Sequence, residues 1–102
     1  MIHVIATIEC NEGKRDALIE ELKKNVQNVL AEDGCIVYGP TIDTESGFGP
    51  QGPLRENVVT IIEQWASLDA LKAHIASPHM ATYREKVKDY VAGVSLQVLE
   101  PA

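Results

Sequence analysis

A chain of 102 residues with 45% hydrophobic and 24% charged residues has room for one domain with a single lean core, and its hydrophobic content argues against disorder. A formal charge of −6, with no basic run longer than Lys14-Arg15 or Lys23-Lys24, argues against nucleic acid or an anionic membrane as partner. The opening MIHVIATIEC lacks a basic leader region and its apolar run is broken by His3, Thr7 and Glu9, so a cytoplasmic protein is expected.

Ile2 to Cys10 is rich in β-branched residues and alternates loosely, which predicts a first strand. After Asn11-Glu12-Gly13 the period becomes helical. From Lys14 to about Ala31, the residues Leu18, Leu22, Val26, Val29 and Leu30 form an apolar stripe, and Lys and Glu cover the opposite side. Gly34 supplies the turn into a second strand, Cys35 to Ile42. Residues 43–56, DTESGFGPQGPLRE, form a long loop whose lone Phe48 suits a lid, a partner contact or a plain surface extension.

Asn57 to Trp65 is the third strand, and both of its alternating sets are largely apolar: Val58, Thr60 and Ile62 on one side, Val59, Ile61 and Trp65 on the other. Such a strand needs cover on both faces. Ser67 caps a short helix, Leu68 to Ala76, with Asp69 in its first turn. Ser77-Pro78 then opens a further helix that carries Met80, Tyr83, Val87, Tyr90 and Val91 on one stripe. Gly93 is expected to end it, and Val94 to Glu100 makes the fourth strand.

The resulting order, βαββαβ, predicts a ferredoxin-like α+β fold: a four-stranded antiparallel sheet with helices on one face. In that topology the first and second strands run parallel. Cys10 and Cys35 then lie at opposite ends of the sheet, roughly 20 Å apart by strand rise. A disulfide needs Cα atoms within about 7 Å, so two free thiols are expected. The uncovered sheet face predicts a homodimer, sheet against sheet.

No dinucleotide fingerprint, P-loop, zinc-protease motif, nucleophile elbow or calcium loop is present. His74 and His79 are spaced so that they do not share one helical face, and a transition-metal site is not expected. What remains is an apolar pocket with a few polar side chains around the break between the two helices. Trp65 is either core or a wall whose indole N–H donates to a ligand. His74 and His79 are candidate bases or ordinary structural histidines. Glu63, on the face of Trp65, reads as an internal carboxylate or a partner for a helix cation, and Tyr83 either packs or turns its hydroxyl inward.

The run IIEQWASLDALKAHIASPHMATY, with the opening MIHVIATIEC, the turn EDGCIVYGPTID and the closing VLEP, resembles the antibiotic-biosynthesis monooxygenase superfamily, and within it the bacterial quinol monooxygenases. The resemblance implies a dimeric α/β barrel that oxidises a small electron-rich aromatic with molecular oxygen and no flavin, haem or metal. It implies His74 or His79 as base and Trp65 as wall and hydrogen-bond donor; Ile61, Glu63, Leu71, Met80 and Tyr83 are expected around the substrate. The anthrone-oxidising branch has Asn where this chain has Ile61 and Tyr where it has Leu71, which disfavours a polyketide anthrone. The haem-degrading branch has an Asn on the first strand, where this chain reads Ala6-Thr7. The same fold also suits a small-metabolite isomerase or lyase, or a non-catalytic dimer that holds a hydrophobic ligand.

Overall fold

Alternation fixes the sheet. In the computed structural model, which describes residues 1–102, β1 (Ile2–Cys10) buries Val4, Ala6, Ile8 and Cys10 on one face and leaves His3, Ile5 and Thr7 half-buried on the other. β3 (Val58–Trp65) repeats the pattern with Val59, Ile61, Glu63 and Trp65 buried. The register places Val4 opposite Glu63, Ala6 opposite Ile61 and Ile8 opposite Val59, so these pairs share one inner face. Burying a Val, Leu or Ile side chain is worth about 1.5–3 kcal/mol, which makes this face the main source of stability.

β2 (Cys35–Thr41) and β4 (Val91–Leu99) complete a four-stranded sheet of order β2-β3-β1-β4, in which every neighbouring pair is antiparallel. The ferredoxin-like expectation therefore holds, with β1 and β2 parallel at one remove. Cys10 pairs with Val91 and Cys35 with Trp65, at opposite ends of the sheet, and both thiols are free.

Three helices cover the inner face: α1 (Arg15–Leu30), α2 (Leu68–Ile75) and α3 (Pro78–Val87). α1 buries Leu18, Leu22 and Val29 as the stripe predicts, but it also buries Asn25 and leaves Leu30 exposed. Gly34, at φ +82°, turns the chain from α1 into β2. A Cβ there would stand 2.6 Å from the Cβ of Ala70, so both the backbone and the packing call for glycine. Ser67 caps α2 by accepting from the Ala70 N–H at 3.1 Å. Ser77 does not cap α3 with its side chain; its hydroxyl donates to the His74 carbonyl at 2.8 Å and satisfies the end of α2 instead.

The last helix corrects the sequence reading. It ends at Val87, not at Gly93, and β4 begins at Val91, with Gly93 inside the strand opposite Glu9. The cause is a tie from the turn after β1. The Asn11 N–H donates to the Tyr90 carbonyl at 2.8 Å, and the Asn11 amide donates to the Asp89 carbonyl at 3.0 Å. A register shift at Glu9/Cys10 then admits Val91 to the ladder. Two long-range ties outweigh the helical period of Tyr90 and Val91.

The helix layer is displaced toward β2. α1 packs mainly on β2 and α3, α2 reaches β3, and no helix packs substantially on β4. Val94, Leu96 and Val98 lie on the inner face, opposite Ile8, Ala6 and Val4, and yet remain 61%, 50% and 42% exposed. This leaves an open-sided hollow between sheet and helices.

Residues 43–56 contain no helix or strand and are closed by a clamp between Asp43 and Arg55. The Arg55 guanidinium donates to Asp43 twice, at 2.8 Å each, and the Arg55 backbone N–H donates at 3.0 Å. These bonds hold the Asp43 carboxyl down to about 2. Phe48 is 76% exposed at the tip, and no residue of the segment lines the hollow.

Candidate active site

The hollow has a volume of about 410 Å³, within the range of small-molecule sites. Thirteen of its seventeen lining residues are hydrophobic, so it suits a largely apolar ligand. β1, β3 and β4 form its floor through Val4, Ala6, Ile8, Ile61, Val94 and Leu96. Leu71 from α2 and Met80, Tyr83 and Val87 from α3 form its roof. Its polar groups sit at two places: Glu63, His74 and the phenols of Tyr38 and Tyr83 on the lining, and Arg84 and Lys88 at the exposed rim.

Of the residues singled out in the sequence, Ile61, Glu63, Leu71, His74, Met80 and Tyr83 all line this cavity. Trp65 and His79 do not. Trp65 is fully buried behind the lining, with its indole 4.7 Å from the His74 ring between centroids. Its N–H donates to Glu63 Oε1 at 2.9 Å and is therefore engaged within the chain. Glu63 is the internal carboxylate of the two readings it had.

His74 is 3% exposed and is held from three sides. Trp65 lies against one side, Tyr38 meets it edge-on at 5.6 Å, and Nδ1 is 2.7 Å from Glu32 Oε2. The carboxylate can only accept, so Nδ1 carries the proton and Nε2 has a free lone pair on the ring that lines the cavity. His79 Nε2 is 3.3 Å from the same carboxylate oxygen, close enough for a charge contact but outside hydrogen-bond geometry. The direct 2.7 Å contact between Glu32 and His74 leaves no space for an ion between them, since zinc-type ligands need about 2.0–2.1 Å each.

Electrostatics separate the cavity's acids. Burial pushes the Glu63 carboxyl above its ordinary value of 4.5; the Trp65 N–H and His74 oppose this, and Glu32 adds to it. Burial likewise pushes the Tyr38 and Tyr83 phenols well above the usual range, so both stay neutral.

The sign for Glu63 follows from this. A folded-state value raised above the unfolded one gives stability that is present below about pH 4.5 and is lost as pH rises through the folded value. Glu63→Gln keeps an acceptor for the Trp65 indole and removes the ionisation. It is expected to raise Tm at neutral pH, with the gain shrinking toward pH 4.5, in thermal melts across that range.

Comparison with known proteins decides the family. Residues 1–86 match the family described as antibiotic biosynthesis monooxygenase. The chain belongs to this family. It is 38% identical over 103 aligned positions to the protein named probable quinol monooxygenase YgiN of Escherichia coli K12, covering 99% of this chain and 98% of that one. Among solved structures, Rv0793 from Mycobacterium tuberculosis superposes with a TM-score of 0.76 at 30% identity, covering 99% of this chain and 94% of the other. PA3566 from Pseudomonas aeruginosa gives 0.81 at 26% identity, covering 99% and 93%.

In this member of the monooxygenase family, sequence reasoning missed Glu32, Tyr38 and the rim cations Arg84 and Lys88. Glu32 reads as an ordinary acid in a turn, and its partner His74 lies 42 positions away. The turn EDGCIVYGPTID, which contributes to the family resemblance, holds both Glu32 and Tyr38 and was the available signal. Arg84 looks like part of a solvated helix face, and its guanidinium donates to the Ile75 carbonyl at 2.9 Å beside the mouth.

Proposed function

We propose that this protein is a quinol monooxygenase that oxidises a small electron-rich aromatic with molecular oxygen and without a cofactor. The observation that carries the reading is His74: its Nδ1 is fixed by Glu32 and its ring lines an apolar cavity. The 38% identity to the E. coli protein named as a probable quinol monooxygenase supports the same reaction class.

In this scheme the quinol lies between the sheet floor and α3, with one hydroxyl toward His74. The O–H proton passes to Nε2, and the developing imidazolium is stabilised by Glu32. The resulting quinolate is a strong enough reductant to give an electron to dioxygen in the same water-poor space. One oxygen atom then enters the ring and the other leaves as water, the electrons for both coming from the quinol as it becomes a hydroxyquinone. Trp65 acts at one remove, by holding the ring of His74 and the carboxylate of Glu63. The neutral phenols of Tyr38 and Tyr83 offer hydrogen bonds to the substrate oxygens.

The assay is oxygen uptake with a reduced naphthoquinol, corrected for autoxidation. Uptake well above the uncatalysed rate, with a hydroxylated quinone as product, is the expected outcome. Binding of the quinol without any uptake would instead favour a non-catalytic carrier.

A homodimer is part of this proposal. The outer sheet face carries Ile5, Thr7, Thr60 and Ile62 half-buried, and Val37 and Leu99 exposed, with no element of the same chain over them. The Thr60 hydroxyl there is without a partner. Stacking this face on a second copy closes a dimeric barrel. Sedimentation at micromolar concentration is expected to give a dimer, and a stable monomer would contradict it. No helix is long and apolar enough to cross a membrane.

A further inference from the structure

We infer that Glu32 and His79 form a proton relay connecting the cavity base to solvent on the far side of α3. The inference rests on His74 being the base for the quinol. A second hollow, of about 220 Å³, is lined only by residues of α1 and α3, among them Lys24, Asn28, His79 and Lys86. It is polar where the first cavity is apolar, and Lys24, Asn28 and Lys86 are exposed, which opens it to water. His79 belongs to this hollow and not to the cavity.

Between the two hollows stands one carboxylate. Glu32 Oε2 lies 2.7 Å from His74 Nδ1 and 3.3 Å from His79 Nε2. Both ring nitrogens of His79 are buried without a hydrogen-bond partner, an expensive condition for a purely structural histidine. The chain thus places acceptor, carboxylate and acceptor in a row from an apolar site to a wet one.

The need for such a path is physical. Substrate in the cavity displaces water from its side of His74, which is itself 3% exposed, and a charge left there in apolar surroundings is costly. The relay moves the proton in balanced steps. The quinol O–H proton bonds to His74 Nε2, and the Nδ1 proton passes to Glu32 Oε2. Glu32 hands it to His79 Nε2, and the Nδ1 proton that His79 then carries goes to water once the partly exposed ring turns that buried nitrogen into the groove. Each bond broken is matched by one formed, and no electrons move. A proton returns along the same path when reduced dioxygen is protonated. The 3.3 Å contact tightens into a hydrogen bond in the working state, as catalytic contacts commonly do on loading.

The test compares wild type, His79→Gln and His79→Ala by oxygen uptake with a reduced naphthoquinol in weakly buffered solution. Both variants are expected to lose kcat by on the order of 10- to 100-fold, with KM within about twofold. The solvent deuterium isotope effect on kcat should grow, and added imidazole, small enough for the space that alanine vacates, should restore most of the rate of His79→Ala. Glutamine keeps a polar side chain but transfers no proton, so its loss separates relay from packing. Variants within twofold of wild type, or a loss in His79→Ala that imidazole does not restore, overturn the relay and leave His74 as base untouched. Absence of uptake by the wild type removes the quinol reading itself, and the relay with it.

Discussion

His74→Ala is expected to lower kcat for quinol oxidation by about 10²- to 10⁴-fold while KM changes only a few-fold. The split follows from geometry. In the proposed reaction the substrate's contact area would come from the apolar floor and roof, whereas His74 would supply one nitrogen at the lining. Binding therefore survives and proton removal does not. Steady-state oxygen uptake over a range of quinol concentrations separates the two constants. A matching thermal melt is needed because His74 is buried against Trp65 and Tyr38. A variant that is folded and fully active would remove His74 from the chemistry.

Trp65 gives the largest effect on stability. The side chain is fully buried, and no larger one in the chain is. Trp65→Ala is expected to cost about 3–5 kcal/mol through lost burial and the cavity left behind. Loss of the indole N–H adds about 1–3 kcal/mol by leaving the buried Glu63 carboxyl without its donor. Against a total of about 5–15 kcal/mol for a domain, that sum removes most of the stability. Trp65→Phe keeps much of the volume and isolates the second cost. Urea denaturation should show a lower midpoint for both variants, with Trp65→Ala the lower of the two. If Trp65→Phe matches wild type, the bond between Trp65 and Glu63 contributes nothing.

The two results have different causes, although the two side chains touch. In the proposed reaction His74 acts on substrate, and Trp65 holds what acts. The tilted contact of indole on imidazole, 4.7 Å between centroids, and the indole N–H on Glu63 couple packing to the polar end of the cavity. Substitutions at Trp65 should therefore lower activity as well, in proportion to how far they loosen His74.

Periodicity made most of the fold legible. The inner face of β3, the stripe of α1 around Leu18 and Leu22, the Ser67 cap and the break at Pro78 are all local patterns, and local patterns survive in a sequence. The end of α3 was not legible, because its position is set by Asn11, which lies on the other side of the domain in sequence. Gly93 looked like a helix stop and is a strand residue beside Glu9.

The site was legible in outline. Its apolar lining comes from residues whose hydrophobic spacing placed them inside, and Ile61, Leu71 and Met80 are where that spacing puts them. The polar contacts were not. Nothing in the spacing of Glu32 relates it to His74, and nothing near Trp65 in sequence indicates that its N–H turns back to Glu63 two residues earlier. His79 stood out beside His74 in the sequence, yet the turn through Ser77 and Pro78 carries its ring to a different hollow, with ring centroids 6.4 Å apart. A helix break can bring two histidines close while sending them to opposite sides of a layer.

The central claim is that His74 takes a proton from a quinol inside the cavity, and it can be observed without oxygen. Protein and naphthoquinol are mixed anaerobically at a pH where the free quinol is protonated, and the absorption spectrum is followed. The account predicts the quinolate spectrum on mixing with wild type and its absence with His74→Ala. A bound quinol that stays protonated in wild type, or a quinolate that forms equally well without His74, would contradict it.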